Sequence, residues 1–178
     1  MSEYGVRVDD STVRFERLLP GPIERVWDYL VDSDKRGEWF ARGALPDKVG
    51  ETFELRFKHS ELSPNQAPPP ARFAEMDRTG ASGREVLIAI EPPRRLVFSF
   101  GHEDEKASEV EIRLVPEGDK VRLILTHSRI PDRDYARNIS GGWHSHLAIL
   151  QYKAEGRVPP AFWDVWRGIE DAYEKRYG

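Results

Sequence analysis

Two patterns of apolar and polar positions follow one another at the start of the chain. In the first, apolar residues alternate with polar ones, which predicts a half-buried strand, and its apolar members are Val13, Phe15 and Leu19. In the second, apolar residues recur at intervals of three and four, which predicts an amphipathic helix, and its members are Ile23, Val26, Trp27 and Leu30. Pro20 and Pro22 separate the two patterns, and Pro22 suits a first helical turn because its missing N–H needs no partner there. The chain therefore opens with a strand, a rigid turn, a helix and a second short helix.

The alternating pattern returns further along and predicts more strands. Thr52 to Phe57 is one strand, with Phe53, Leu55 and Phe57 on the same face. Two strand pairs follow, namely Arg84 to Ile90 with Arg95 to Phe100 around Glu91-Pro92-Pro93, and Ser108 to Val115 with Val121 to His127 around Glu117-Gly118-Asp119. With the opening strand they make a curled antiparallel sheet of about six strands, close to the mean size of a sheet. Its apolar face requires a cover.

Two helices are predicted after the sheet. Between Ser140 and Ala154, helical spacing gives an apolar stripe that can cover the sheet, formed by Trp143, Leu147, Leu150 and Ala154. From Pro159 to Gly178 a second helix carries another stripe, formed by Phe162, Trp166, Ile169 and Tyr173. We expect the second stripe to pack on its own domain, with a dimer contact as the alternative, so that the protein is a monomer or a homodimer.

Gly141 and Gly142 fall in the first turn of the predicted long helix, where each costs about 1 kcal/mol relative to alanine. One interpretation is a close approach of the backbone to a ligand. The other is a tight chain reversal after Asn138-Ile139-Ser140.

Several segments match one protein family in order and spacing. They are Arg17 to Leu19, Pro20-Gly21-Pro22, Glu24 to Trp27, Asp32, Trp39-Phe40, Val49 to Phe57, Ile90 to Phe100, Leu123 to Ile130 and Gly141 to Leu150. Over about residues 11 to 156 the chain resembles the START-like helix-grip superfamily, and most closely the branch homologous to the C-terminal domain of the activator of the heat-shock-protein-90 ATPase. The resemblance implies an α+β helix-grip fold, in which a curled antiparallel sheet wraps around the long helix and a ligand cavity lies between them. Residues 157–178 are then expected to be a helical extension packed on the same domain.

Composition narrows the possible functions. A length of 178 residues fits one domain, and the absence of cysteine excludes disulfides, thiolate nucleophiles and cysteine-bound metals. The net charge is −4 and the longest basic clusters are pairs such as Arg94-Arg95, so nucleic acid is not an expected partner. No apolar run approaches the ~20 residues of a membrane span, so no membrane association is expected either. We expect a cytoplasmic protein without a cofactor.

Residues Lys58 to Gly83 form a long connection rich in proline, serine, glycine and charge. Pro70 can start a helical turn that carries Phe73 and Met76. A connection of this length in a compact domain often binds or covers something, which makes it a candidate lid. The alternative is a flexible surface loop.

Most candidate cavity residues lie at inward positions of strands and helices, whereas Trp39 follows a short helix and is either at the pocket mouth or in the core. The candidates are His127, Trp143, His146, Leu147, Phe57 and Trp39. His127 is in phase with Leu123 and Leu125, and two histidines in one cavity can anchor a ligand at neutral pH. The alternative is that each histidine is a hydrogen-bonded core residue. No catalytic residue is predicted, and no metal, because His144 and His146 lie about 200° apart around one helix.

Three functions are compatible with this sequence. The first is the binding of a small apolar or aromatic molecule between the sheet and the long helix. The second, implied by the resemblance, is a co-chaperone role that stimulates a heat-shock-protein-90-type ATPase. The third is a cyclase- or hydrolase-like enzyme that uses a cavity histidine as a general base.

Overall fold

The computed structural model describes residues 3–101 and 107–178. One antiparallel sheet of seven strands has the order β1-β2-β7-β6-β5-β4-β3. The strands are β1 Val6–Asp9, β2 Thr12–Pro20, β3 Thr52–Phe57, β4 Ala81–Glu91, β5 Arg95–Phe100, β6 Ser108–Glu117 and β7 Lys120–Ser128. The helices are α1 Ile23–Val31, α2 Ser33–Gly37, α3 Ala74–Thr79, α4 Arg133–Ala154 and α5 Phe162–Tyr177. Together they form the α+β helix-grip fold that the sequence predicts.

The sheet differs from the prediction at its edges. Strand β1 is absent from the prediction, and it pairs with β2 so that Val6 lies opposite Arg14. Val6 and Val8 are both exposed, so the alternation of this edge strand buries little apolar surface. Strand β4 begins at Ala81 rather than Arg84, and the added residues pair with the end of β3.

Helix α4 begins at Arg133 rather than at Ser140. The carboxylate of Asp132 caps it by accepting a hydrogen bond of 2.8 Å from the backbone N–H of Tyr135. Gly141 and Gly142 therefore lie inside the helix, and the chain reversal considered for them is wrong. A Cβ atom at Gly141 would lie 3.1 Å from the ring of Trp166 on α5. The glycine allows the two helices to approach closely.

Helix α5 packs against α4 through its predicted stripe, and Phe162, Trp166, Ile169 and Tyr173 are all buried. Polar contacts also join the two helices, because the hydroxyl groups of Tyr177 and Ser140 are 3.1 Å apart. The hydroxyl of Tyr173 accepts a hydrogen bond from the N–H of Gly5 and lies 3.0 Å from Nδ1 of His144. The stripe is thus covered by the chain itself.

The long connection between β3 and β4 contains two 3₁₀ turns, His59–Glu61 and Ala71–Phe73, and then α3. The helical turn predicted after Pro70 is confirmed, and Phe73 stacks on Trp163 of α5 with the ring centroids 5.3 Å apart. Arg72 forms an ion pair with Glu170 of the same helix. The candidate lid is therefore attached to α5. In the ranges that the structure describes, no helix is long and apolar enough to cross a membrane.

Candidate functional site

A cavity of about 270 Å³ lies between α4, α3 and the neighbouring ends of β3, β4 and β5. We call it the apolar pocket, and its walls are formed by Phe40, Phe57, His59, Met76, Ala81, Phe100, Ile139, Gly142, Trp143 and His146. Met76 belongs to α3, so the candidate lid contributes to the wall. Apart from the two imidazoles, the side chains of the wall are aliphatic or aromatic, with the thioether of Met76.

One face of α4 supplies four residues of the wall. Ile139, Gly142, Trp143 and His146 have the spacing i, i+3, i+4, i+7, which places them on the same side of a helix. Because Gly142 has no side chain, its backbone leaves space in the pocket. On the opposite wall, Phe57 and Phe100 are the last residues of β3 and β5.

Phe40 holds the aromatic part of the wall together. Its ring stacks on Trp143 with centroids 4.9 Å apart and meets Phe57 edge to face at 5.0 Å. It also meets the ring of His146 edge to face at 5.3 Å. Such aromatic pairs are stabilised beyond the area that they bury. The wall is therefore a set of mutually supporting rings.

The structure places His127 in the core behind the pocket, not in its wall. The indole N–H of Trp143 donates to Nδ1 of His127 at 2.9 Å, so in the neutral ring the hydrogen is on Nε2. That N–H donates to Oγ of Ser108 at 2.7 Å, and the hydroxyl of Ser108 donates to the carbonyl of Phe100 at 2.6 Å. Burial lowers the pKa of His127 to about 3. Both ring nitrogens of His127 have hydrogen-bond partners within the protein. His127 is therefore a hydrogen-bonded core residue, which was the alternative considered from the sequence.

Trp39 and Leu147 also lie in the core rather than in the wall. Both side chains are fully buried, and the indole N–H of Trp39 donates to the carbonyl of Tyr29 at 2.8 Å. Trp39 supports the wall indirectly, because its carbonyl accepts the hydrogen bond from His146. Of the predicted cavity residues, the pocket brings together Phe57, Trp143 and His146.

His146 lies in the wall and is 5% exposed. Its Nδ1–H donates to the carbonyl of Trp39 at 2.7 Å, since a carbonyl oxygen can only accept. Burial, and to a smaller extent the neighbouring His59, lowers the pKa of His146 to about 3, and the bond to Trp39 partly opposes the shift. The ring is therefore neutral at physiological pH.

His59 was not among the predicted residues. It follows β3 in a 3₁₀ turn, and its ring lies 5.4 Å from that of His146, 4.4 Å from Phe162 and 5.1 Å from Trp163, measured between centroids. Burial lowers its pKa to about 4, although the charge of Asp77 opposes the shift. A signal was present, because His59 continues the alternation of Phe53, Leu55 and Phe57.

A buried carboxylate lies beside the pocket and was also missed. Glu85 on β4 is 3% exposed and accepts hydrogen bonds from Oγ of Ser99 at 2.7 Å and from the N–H of Gly101 at 3.0 Å. It lines a second cavity of about 430 Å³ that shares Phe57, Ala81 and Phe100 with the apolar pocket. Across residues 3–101 and 107–178, no group of three or more His, Cys, Asp or Glu side chains could hold a metal ion.

Comparison with known proteins identifies the family. Residues 20–154 match the family model described as Activator of Hsp90 ATPase homolog 1-like protein. The chain is also similar to the solution NMR structure of the protein encoded by gene BPP1335 from Bordetella parapertussis, with 48% identity. The alignment covers 97% of this chain and 90% of that one, with a TM-score of 0.82.

More distant structures show the same fold. The crystal structure of CalU16 from Micromonospora echinospora has 22% identity and a TM-score of 0.66, and the alignment covers 92% of this chain and 86% of that one. DynU16, described as a putative protein in the dynemicin biosynthetic locus, has 19% identity and a TM-score of 0.62 over 84% of this chain and 49% of that one. No curated protein sequence matches the chain. Because the family model spans most of the chain and the Bordetella relative nearly all of it, the chain belongs to the Activator of Hsp90 ATPase homolog 1-like family, within the START-like helix-grip superfamily.

Proposed function

We propose that this protein binds a small apolar or aromatic molecule in the apolar pocket. The observation that carries the proposal is a cavity of about 270 Å³ whose wall has no charged side chain. Pockets for small molecules are typically about 300–1,000 Å³, mostly apolar and aromatic, with a few polar groups that orient the ligand. At about 270 Å³ the pocket lies just below that range, which favours a ligand of one or two rings.

The wall is also preformed, which supports binding over a merely structural cavity. Phe40, Phe57 and Trp143 hold one another in place through ring contacts. A ligand that enters such a site pays little for ordering the protein. The roles of Phe57, Trp143 and His146 as ligand contacts are part of this proposal. His127 and Trp39 support the wall from behind through their hydrogen bonds to Trp143 and His146.

The test is a titration with naphthalene, followed by tryptophan fluorescence. Trp143 lies in the wall, so we expect a saturable change in its emission. The blocking variant is Gly142→Leu. Gly142 lines the pocket, and a Cβ there meets its nearest atom, on Trp166, at an ordinary 3.9 Å, so we expect the longer side chain to be accommodated and to fill part of the pocket. The matched control is Gly168→Leu on α5, where a Cβ meets nothing within 4 Å.

We expect Gly142→Leu to abolish the saturable signal and Gly168→Leu to retain it, with circular dichroism confirming that both variants fold. Should Gly142→Leu not fold, Gly142→Ala narrows the same space and should weaken binding. No saturable change in the wild-type protein, or equal binding by the blocked and control variants, would overturn the proposal.

A second candidate function rests on the family match over residues 20–154. The family is named after an activator of the Hsp90 ATPase, which makes a chaperone of that type a candidate partner. The pocket does not bear on this candidate. An ATPase assay with the purified chaperone tests it.

A further inference from the structure

Two histidine rings lie side by side in a wall that is otherwise apolar. The centroids of His59 and His146 are 5.4 Å apart, and the ring planes are inclined by 38°. Phe162 and Trp163, which lie beyond the residues matched by the family model, pack against His59 and hold it beside His146. This pair is the polar feature of the apolar pocket.

His146 offers a hydrogen-bond acceptor. Its Nδ1 carries the hydrogen that binds the carbonyl of Trp39, so Nε2 of the neutral ring has a free lone pair. None of the described residues donates to that lone pair. Within the described ranges, Nε1 of Trp166 is the side-chain atom that is both sealed from solvent and without a partner. Nε2 of His146 also lacks a partner but is not sealed from solvent, and because His146 lines the apolar pocket we take this lone pair to be accessible from the pocket.

His59 offers the complementary group. Neither of its ring nitrogens bonds to a described residue, so the neutral ring can place its hydrogen on the nitrogen that faces a ligand. The nearby carboxylate of Asp77 accepts the indole N–H of Trp163 at 2.7 Å. A hydroxyl group is both donor and acceptor. The centroids of His59 and His146 are 5.4 Å apart, a separation that one hydroxyl group can bridge with two hydrogen bonds of about 2.8 Å each.

We infer that the apolar pocket selects a neutral aromatic alcohol of the phenol type, whose hydroxyl donates to Nε2 of His146 and accepts an N–H from His59. The inference rests on the function proposed above and names its ligand class. A carboxylate would face the lone pair of His146 in a wall without a cation. Because burial lowers the pKa of His59 to about 4 and that of His146 to about 3, the pair stays neutral above pH 5.

Isothermal titration calorimetry at pH 7 with three probes of one ring system tests the inference. The probes are 1-naphthol, 1-methylnaphthalene and 1-naphthoate. We expect 1-naphthol to bind at least about threefold more tightly than 1-methylnaphthalene, the scale of one net hydrogen bond, and 1-naphthoate at least about tenfold more weakly than 1-naphthol. Equal binding of the first two, or preferred binding of the carboxylate, would overturn the inference and leave the proposed function standing. Failure of all three probes would overturn both.

Two variants assign the effect to the histidines. His146→Asn keeps an amide donor for the carbonyl of Trp39 but has no group at the position of Nε2, and His59→Phe keeps the ring contacts without nitrogen. Each should reduce the preference for 1-naphthol over 1-methylnaphthalene while the latter still binds. The matched control is His144→Asn, the same substitution on α4 at a histidine that bonds Tyr173 outside the pocket.

A spectroscopic measurement on the wild-type protein decides the matter if a variant does not fold. In ¹⁵N spectra of histidine-labelled protein, 1-naphthol should shift the Nε2 resonance of His146, and 1-methylnaphthalene should shift it much less. Two results would show that the histidine pair does not bind the hydroxyl of the ligand. One is an equal shift of the Nε2 resonance with both probes, and the other is a preference for 1-naphthol that persists in His146→Asn and His59→Phe.

Discussion

The indole N–H of Trp143 donates to Nδ1 of His127 across 2.9 Å, which joins the long helix α4 to strand β7. This bond fixes the tautomer of His127 and continues through Ser108 to the carbonyl of Phe100. Trp143 also forms part of the apolar pocket, as does Phe100. The chain of hydrogen bonds thus runs directly behind the proposed ligand site.

Replacing His127 should affect stability far more than binding. In His127→Leu, the indole N–H of Trp143 loses its buried acceptor, and such an unmet group costs about 1–3 kcal/mol. The oxygen of Ser108 also loses the hydrogen bond from Nε2, although its hydroxyl still donates to the carbonyl of Phe100. We expect the free energy of unfolding, measured by urea denaturation, to fall by about 2–5 kcal/mol. Affinity for 1-methylnaphthalene in the folded variant should change less than about twofold. A stable variant that had lost binding would instead place His127 in the site.

Stability should fall as the solution is acidified. Histidines of the unfolded chain titrate near pH 6.5, whereas burial lowers the pKa of both His127 and His146 to about 3 in the fold. Between these values the unfolded chain binds more protons, so the free energy of unfolding rises with pH by up to about 1.4 kcal/mol per pH unit for each residue.

The check is urea denaturation at several values from pH 6 to pH 4, with the range from pH 7 to 8 as the control, where these residues contribute little slope because they are mostly neutral in the unfolded chain as well. His146→Asn should remove about one residue's share of the acid slope. A slope that is the same in this variant would mean that His146 titrates normally in the fold.

Much of the fold follows from the period of two in the strands and the helical spacing of the stripes. Where burial is one-sided, as at Phe15 or Leu123, the pattern is clear in the sequence. Strand β1 was not predicted, because Val6 and Val8 are exposed at a sheet edge and do not form a buried apolar face. The start of α4 escaped because its first turn is polar, although the cap residue Asp132 marked it.

The site was harder to predict. The alternation along a strand and the spacing along a helix show which side chains point inward, but they do not distinguish a pocket wall from the core behind it. His127 and His146 both point inward, yet His127 finds two partners in the protein and His146 only one. That difference depends on Ser108 and Trp39, which are distant in sequence. His59 became part of the site because α5 packs beside the turn that carries it.

Truncation after Gly156 should destabilise the protein or make it aggregate. The deletion removes the buried rings of Phe162, Trp166 and Tyr173, and burial of each large apolar side chain contributes about 2 kcal/mol. It also removes the hydroxyl that bonds Gly5 and His144. Thermal melting and size-exclusion chromatography check this, and an unchanged melting temperature with a monodisperse profile would mark α5 as dispensable.

The protein should have little effect on chaperone turnover. Added to the Hsp90 homologue of its own organism, it should change the ATPase rate by less than about twofold, which corresponds to under ~0.4 kcal/mol in barrier. A steady-state ATPase assay with Gly142→Leu as a second sample shows whether any effect depends on the pocket. If the wild-type protein and Gly142→Leu both stimulated the ATPase several-fold, the chaperone role would be favoured over ligand binding.

The most direct test of ligand binding is a crystal structure of the protein grown with 1-naphthol. We expect the naphthyl ring in the apolar pocket against Phe40 and Trp143, with its oxygen within hydrogen-bond distance of both His59 and His146. A pocket filled by its own side chains, or 1-naphthol bound only elsewhere on the surface, would contradict the account.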